Sequence, residues 1–191
     1  MQFKQTGDFI LNKLRKELPA HLSYHGIAHV EDVYQAAERI AKEEGISKYE
    51  QKLLLTAALF HDSGFIKMRE GHEAESCKIA HRYLPAYNYR PDEIELICGM
   101  IMATRIPQSP QTRLEEILCD ADLDYLGRAD FFILSCRLFA ELQAEGIIKD
   151  EEEWDRQQET FMEGHRYQTA TSIKLRQPKK AEYIKLVKSK I

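Results

Sequence analysis

Leu54-Leu55-Thr56-Ala57-Ala58-Leu59-Phe60-His61-Asp62-Ser63-Gly64 is an apolar stretch of helical period that ends on a histidine followed by an aspartate. A helix that packs Leu54, Leu55, Ala58 and Leu59 inward carries its C-terminal end into the protein interior. His61 and Asp62 then arrive side by side in a poorly hydrated place. A buried carboxylate without a partner costs several kcal/mol, and a metal ion is the simplest partner. The plainer alternative is a helix end whose histidine and aspartate cap neighbouring backbone. Residues elsewhere in the chain decide between the two.

Upstream, Ser47-Lys48-Tyr49-Glu50 is a capping box that opens this central helix, and Gly64 is expected to close it. Before it, the period predicts a helix over roughly 6–18 with Phe9, Ile10 and Leu14 inward, and a second over roughly 24–44 capped by Ser23. The second buries Val30, Val33, Ala37, Ile40 and Ala41 and ends at Gly45. Downstream, a polar loop leads into a helix over roughly 72–84, and Pro91 occupies the first turn of the next, which reaches about residue 104. Thr112-Arg113-Leu114-Glu115 is a second capping box, starting a helix that carries Asp120, Asp122 and Asp124 before Gly127. Asp130 is expected to cap a helix to about residue 146 and Asp150 a long one over roughly 151–174, with a basic helix after Pro178 docking Tyr183, Leu186 and Val187. About nine helices and no strand make this an all-α fold.

At 191 residues the chain fits a single domain over 1–191, with a core at about 24–126 and C-terminal helices over 130–191 packed on it. The net charge of -4 argues against a nucleic-acid polymer or an anionic membrane as partner, though not against a small phosphorylated ligand. Cys77, Cys98, Cys119 and Cys136 are scattered among apolar residues without a CxxC pair, as expected of reduced core cysteines. The N-terminus lacks an apolar core of signal-peptide type, and no run of about eighteen apolar residues exists, so a cytoplasmic protein is expected.

His25 and His29 are four residues apart, which places both on one face of the second predicted helix. His29 aligns with Val33 and Ala37 and points to the core, whereas His25 lies one turn nearer the helix start and a cleft. In the third acidic segment, Leu114, Ile117, Leu118, Ala121 and Tyr125 define the buried stripe. Asp122 lies roughly 70° from its centre, Asp124 roughly 90° and Asp120 roughly 130°. Asp122 is thus the carboxylate best placed to project inward, and Asp120 and Asp124 are left to solvent, an arginine or a histidine's second ring nitrogen. Two imidazoles and two carboxylates from three helices suit a divalent ion: manganese, magnesium, iron, cobalt, nickel or zinc. Such a cage keeps positions open for water and a phosphoryl oxygen.

Tyr24-His25…His29, His61-Asp62 and Asp122, in this order on a helical chain, resemble the HD-domain superfamily of metal-dependent phosphohydrolases. The segment from Tyr24 to Val33 further resembles the opening motif of cyclic-nucleotide phosphodiesterases. The resemblance implies His29, His61, Asp62 and Asp122 as metal ligands, His25 as proton donor to the leaving oxygen, and Asp62 as part of the catalytic set. Dinuclear members supply two more histidines. His72 matches the first in context, and Thr104 stands where the second is expected, which favours one tightly held metal per chain, with His72 as a phosphate ligand or a weak second-site ligand. The GYP residues are missing after Asp62, and so is the acidic residue that mononuclear deoxynucleotidases of the superfamily use. Lys67, Arg105 and Arg128 border the expected site and can hold an anion or stand as solvated charges. His165, near Phe161, Met162 and Thr169, either packs structurally or closes the cleft. The activity implied is hydrolysis of a small phosphate ester, a nucleotide, by a metal-activated water. The rival readings are a nucleotide- or metal-binding sensor without turnover, and a di-iron oxygenase, against which Thr104 counts.

Overall fold

The computed structural model describes residues 1–190, and among them there are nine α-helices and no strand, the all-α fold expected. The helices are α1 (Phe3–Glu17), α2 (Ile27–Glu43), α3 (Lys48–Phe60), α4 (His72–Tyr83), α5 (Pro91–Ala103), α6 (Arg113–Asp122), α7 (Phe131–Ala144), α8 (Glu151–Gly164) and α9 (Ala170–Lys188). None of them is long and apolar enough to cross a membrane.

The central helix is α3, every residue of which from Leu53 to Phe60 is buried. That all-round burial follows from its position, with α2 and α5 as its main neighbours and α1 and α6 beside them. Both capping boxes form, Ser47 with Glu50 at the start of α3 and Thr112 with Glu115 at the start of α6. One apolar cluster joins α1 to α6, including Ile10, Val33, Phe60, Ile97 and Leu118. A second gathers Tyr24, Leu123, Tyr125, Phe131, Met162 and Tyr183 beneath the C-terminal helices. Ala121 belongs to the first cluster and Leu123 to the second, so Asp122 falls where one gives way to the other.

Several expected boundaries move, each for a reason outside its own segment. The second helix begins at Ile27 rather than near Tyr24, because Glu141 accepts the backbone N–H of both Tyr24 and His25 and holds them ahead of the helix. His25 therefore does not share a helical face with His29, and Ser23 donates to the Arg137 carbonyl instead of capping. Gly64 is not a helix terminator. α3 stops at Phe60, a 3-10 turn follows over Ser63–Ile66, and a Cβ at Gly64 would lie 2.0 Å from the His72 carbonyl oxygen. Glycine is required there because the start of α4 presses against that turn.

Asp124 leaves the helix, since α6 ends at Asp122 and a 3-10 turn takes Asp124–Gly127. Asp130 precedes α7 but gives it no side-chain cap, because its carboxylate pairs with Arg128. The long helix expected from Asp150 breaks after Gly164, and α9 begins at Ala170 and continues through Pro178. The break is imposed by Asp120, whose buried carboxylate accepts from the backbone N–H of Gln168 and Thr169 and from the Thr169 hydroxyl. Thr169 then caps α9 through Ser172. On α9, Tyr183 and Val187 are buried as expected but Leu186 is exposed, and so is Cys136 on α7. The other cysteines are buried or partly so, and all four are free.

Candidate metal centre

Three breaks in helix deliver the donors of the site. His29 stands in the first turn of α2, His61 and Asp62 follow the last residue of α3, and Asp122 is the last residue of α6. His29 Nε2 lies 3.3 Å from His61 Nε2, 3.3 Å from Asp62 Oδ2 and 3.2 Å from Asp122 Oδ1. His61 Nε2 lies 3.3 Å from Asp62 Oδ2 and 3.5 Å from Asp122 Oδ1. Donors bound to one ion at about 2.0–2.2 Å stand about 2.8–3.6 Å apart at cis-octahedral or tetrahedral angles. The spacings fit one divalent ion.

Two further features agree with that fit. Asp62 Oδ2 is buried and has no properly directed hydrogen-bond donor. His61 Nδ1 sits 2.8 Å from the Ala58 carbonyl, to which it must donate, so the Nε2 lone pair turns toward the other three side chains. His29, His61 and Asp122 form one three-donor group, and Asp62 Oδ2, 3.3 Å from both histidines, adds a fourth donor.

Burial disfavours a charge on His29, but the neighbouring Asp122 and Asp62 outweigh it and push its pKa up to about 9. His61 is raised for the same reasons. Burial likewise opposes ionisation of Asp62 and Asp122, and the imidazoles beside them hold both below the usual carboxylate range. In the metal-free chain His29 carries a proton at neutral pH, and an incoming ion must displace it. Metal affinity is therefore expected to fall as pH falls below the His29 value of about 9, by about tenfold per pH unit for each proton displaced. Competition against a chromophoric chelator between about pH 6 and pH 8 measures this, and an affinity indifferent to pH would contradict the assignment of imidazole donors.

The cage opens into a cleft of about 260 Å³. His25, Asp62, His72, Thr104 and Asp122 line its polar side, and Tyr125, Leu138, Trp154 and Phe161 its apolar side. His72 donates from Nδ1 to the Arg69 carbonyl at 2.8 Å, which leaves Nε2 3.3 Å from Asp62 Oδ1. The Thr104 hydroxyl donates to the Ile101 carbonyl at 2.8 Å.

The three expected cations are not part of this lining. Lys67 pairs with Glu75, Arg105 is exposed, and Arg128 spans Asp32 and Asp130. The reason is charge pairing: carboxylates on α2, α4 and the α7 approach take up two of these cations locally.

Glu141 is a site residue that sequence reasoning missed. It is fully buried, and its Oε1 lies 2.5 Å from His25 Nδ1 while its Oε2 accepts the two amides already named. Arg69 also donates to it. Burial alone would raise the Glu141 pKa, but His25 and Arg69 bring it down to about 2. Phe65 stacks on the other side of the His25 ring at 4.4 Å between centroids. The signal was present: Glu141 follows Leu134 and Leu138 at helical spacing, a carboxylate in an apolar stripe. Asp124, left open between solvent, an arginine and a histidine's second ring nitrogen, receives Arg39 at 2.8 Å and Arg176 at 2.7 Å. That clamp ties α2 and α9 to the turn after Asp122.

Comparison with known proteins adds a family and a fold. The HD domain family model matches residues 26–124. A solved structure from Lactobacillus plantarum aligns with a TM-score of 0.69 at 18% identity, covering 100% of this chain and 98% of the other. A predicted HD superfamily hydrolase from an uncultured Thermotogales bacterium aligns at 0.66 and 20% identity, covering 95% and 89%. Bacillus subtilis YpgQ, solved in complex with ADP, aligns at 0.66 and 19% identity, covering 100% and 97%. A comparison with curated proteins returned no match.

Proposed function

The chain belongs to the HD domain family, and from that premise we propose a metal-dependent hydrolase that cleaves a small phosphate ester, with a nucleotide as the substrate. The observation that carries the proposal is a cage of four donors, His29, His61, Asp62 and Asp122, opening into a cleft with an aromatic wall. A divalent ion held by these residues, one per chain, supplies an activated water and offsets charge on the phosphoryl oxygens.

The chain's own residues do the rest. His25 presents Nε2 toward the cleft while its Nδ1–H is held by the Glu141 carboxylate. Burial lowers the His25 pKa below the ordinary histidine value, against the opposing pull of Glu141. His25 is thus neutral in the free protein, takes up a proton as an anionic phosphate enters, and hands it to the leaving oxygen. His72 Nε2 stands on the far side of Asp62 as a contact for a phosphoryl oxygen, with Thr104 beside it in the lining.

The remaining wall fits a nucleoside. Trp154, Phe161 and Tyr125 offer faces for a planar base. Gln158 also lines the cleft, held by Ser135 through Nε2, and its buried Oε1 has no partner within the protein. Among the fold's relatives, YpgQ was captured with ADP, which agrees with a nucleotide ligand here.

The test is phosphate release from a panel of nucleotides with manganese, magnesium, cobalt or iron added to the purified chain. Metal-dependent release that an added chelator stops is expected. Tight nucleotide binding without release under any of these metals would replace the hydrolase with a sensor.

A further inference from the structure

His61 and Asp62 leave the end of α3 for the cage, and their backbone is held from a different helix. Ser76 stands on α4, one turn after His72, and is 0% exposed. Its hydroxyl donates to the His61 carbonyl at 2.6 Å and accepts the Gly64 N–H at 2.8 Å. One side chain thus fastens the chain on both sides of Asp62, at the carbonyl just before it and at the amide two residues after it.

The turn needs such an anchor. His61 caps the end of α3 and Asp62 precedes the 3-10 turn over Ser63–Ile66, so the two ligands lie between one helical ladder and the next. Asp62 has φ −100 and ψ 7, outside the α-helical region, and its side chain gives the 3-10 turn no cap. Residues 61–65 are all buried, and their carbonyls and amides must find partners within the protein. The His61 ring has its own tether in the Ala58 carbonyl. Asp62 Oδ2 has no comparable tether, since no donor is properly directed at it, and its place in the cage follows from the backbone that Ser76 holds.

Packing alone does not ask for a serine at this position. Ala80 lies one turn further along the same face of α4 and is also 0% exposed, so a small apolar residue suits that face. What serine adds is a donor and an acceptor on one short side chain. The close approach of Gly64 to the His72 carbonyl brings the turn within its reach.

We infer that Ser76 is a positioning residue of the metal centre: by bridging the His61 carbonyl and the Gly64 N–H it holds the Asp62 carboxylate at the cage, and so sets the affinity for the divalent ion. The inference rests on reading the four donors as a metal cage, and it requires no particular substrate.

Manganese(II) affinity, measured by competition with a chromophoric chelator, tests it beside a thermal melt and hydrogen exchange at the Gly64 amide of the metal-free chain. Ser76→Ala is expected to weaken binding by about ten- to a hundredfold, the usual cost of removing a group that orients a ligand, and to speed exchange at Gly64. Ala80→Gly weakens the same helix without reaching the turn, and it is expected to bind the ion as the wild type does. Ser76→Cys keeps nearly the same size with a weak donor and acceptor, so its affinity should fall between, and it carries the test if Ser76→Ala does not fold. A folded Ser76 variant with wild-type affinity overturns the inference and leaves the cage standing. An equal loss in Ala80→Gly also overturns it, by assigning the effect to the stability of α4. A wild-type chain that binds no ion removes the cage, and the inference with it.

Discussion

In the proposed hydrolase, Asp122→Ala is expected to strip the purified chain of bound divalent metal and to lower phosphate release from nucleotides by about a thousandfold or more, since a bound ion supplies several kcal/mol of transition-state stabilisation. The size follows from where Asp122 stands. It ends α6 and brings one oxygen to within 3.2 Å of His29 Nε2 and 3.5 Å of His61 Nε2. No other side chain of α6 reaches the cage, because Asp120 is committed to the amides that start α9. Truncation leaves two imidazoles facing one carboxylate, and the loss of the second negative charge lowers the pull that keeps both histidines basic. The fold should persist, since Asp122 is the partly exposed member of the set and accepts from no backbone N–H. Elemental analysis beside a thermal melt separates the possibilities. A folded variant with full metal content would remove Asp122 from the ligand set, and Asp122→Asn, which keeps the shape but loses the charge, should fall between the two.

What could be read from the sequence follows the range of the interactions concerned. The starts of α3 and α6 are set by capping boxes spanning four residues, and both occur where the sequence places them. The burial of α3 and the inward turn of His61 and Asp62 follow from its apolar run. The phase of α6 singled out Asp122 among three aspartates, and Asp122 is the one beside His29 and His61. Failures occur wherever a buried side chain holds backbone far away in sequence. Glu141 sets the start of α2 from α7, and Asp120 sets the break between α8 and α9 from α6. Helical period cannot register such contacts, because each joins segments more than forty residues apart through one carboxylate. The pairing of Lys67 with Glu75 and of Arg128 with Asp32 is likewise a matter of tertiary contact that helical period does not register.

Glu141→Gln is expected to leave metal content unchanged and yet lower kcat by about ten- to a hundredfold, the usual cost of losing the partner that orients a functional histidine. Glu141 lies outside the matched span of residues 26–124, on α7. It nevertheless meets His25 at 2.5 Å. An anionic carboxylate there does two things: it fixes the proton of the neutral ring on Nδ1, and it favours the charged ring once a phosphate is present. Glutamine retains an oxygen for the amides of Tyr24 and His25 but sets an NH2 group against His25 or Arg69, both of which are donors. The charge is lost and the orientation loosened. In a reaction that needs His25 protonated, activity falls as pH rises through the His25 pKa in the complex. Removing the carboxylate lowers that pKa, so the basic limb of the kcat profile moves to lower pH while KM changes little. A purely structural Glu141 would lower stability and leave the limb in place, and that result would return His25 to a packing role. Stability gives the complementary sign. Glu141 is depressed to about 2 in the folded chain, so its contribution is complete above the ordinary glutamate range and is lost as pH falls toward 2. The variant should therefore show a flatter acid limb of stability than the wild type, measured as melting temperature against pH.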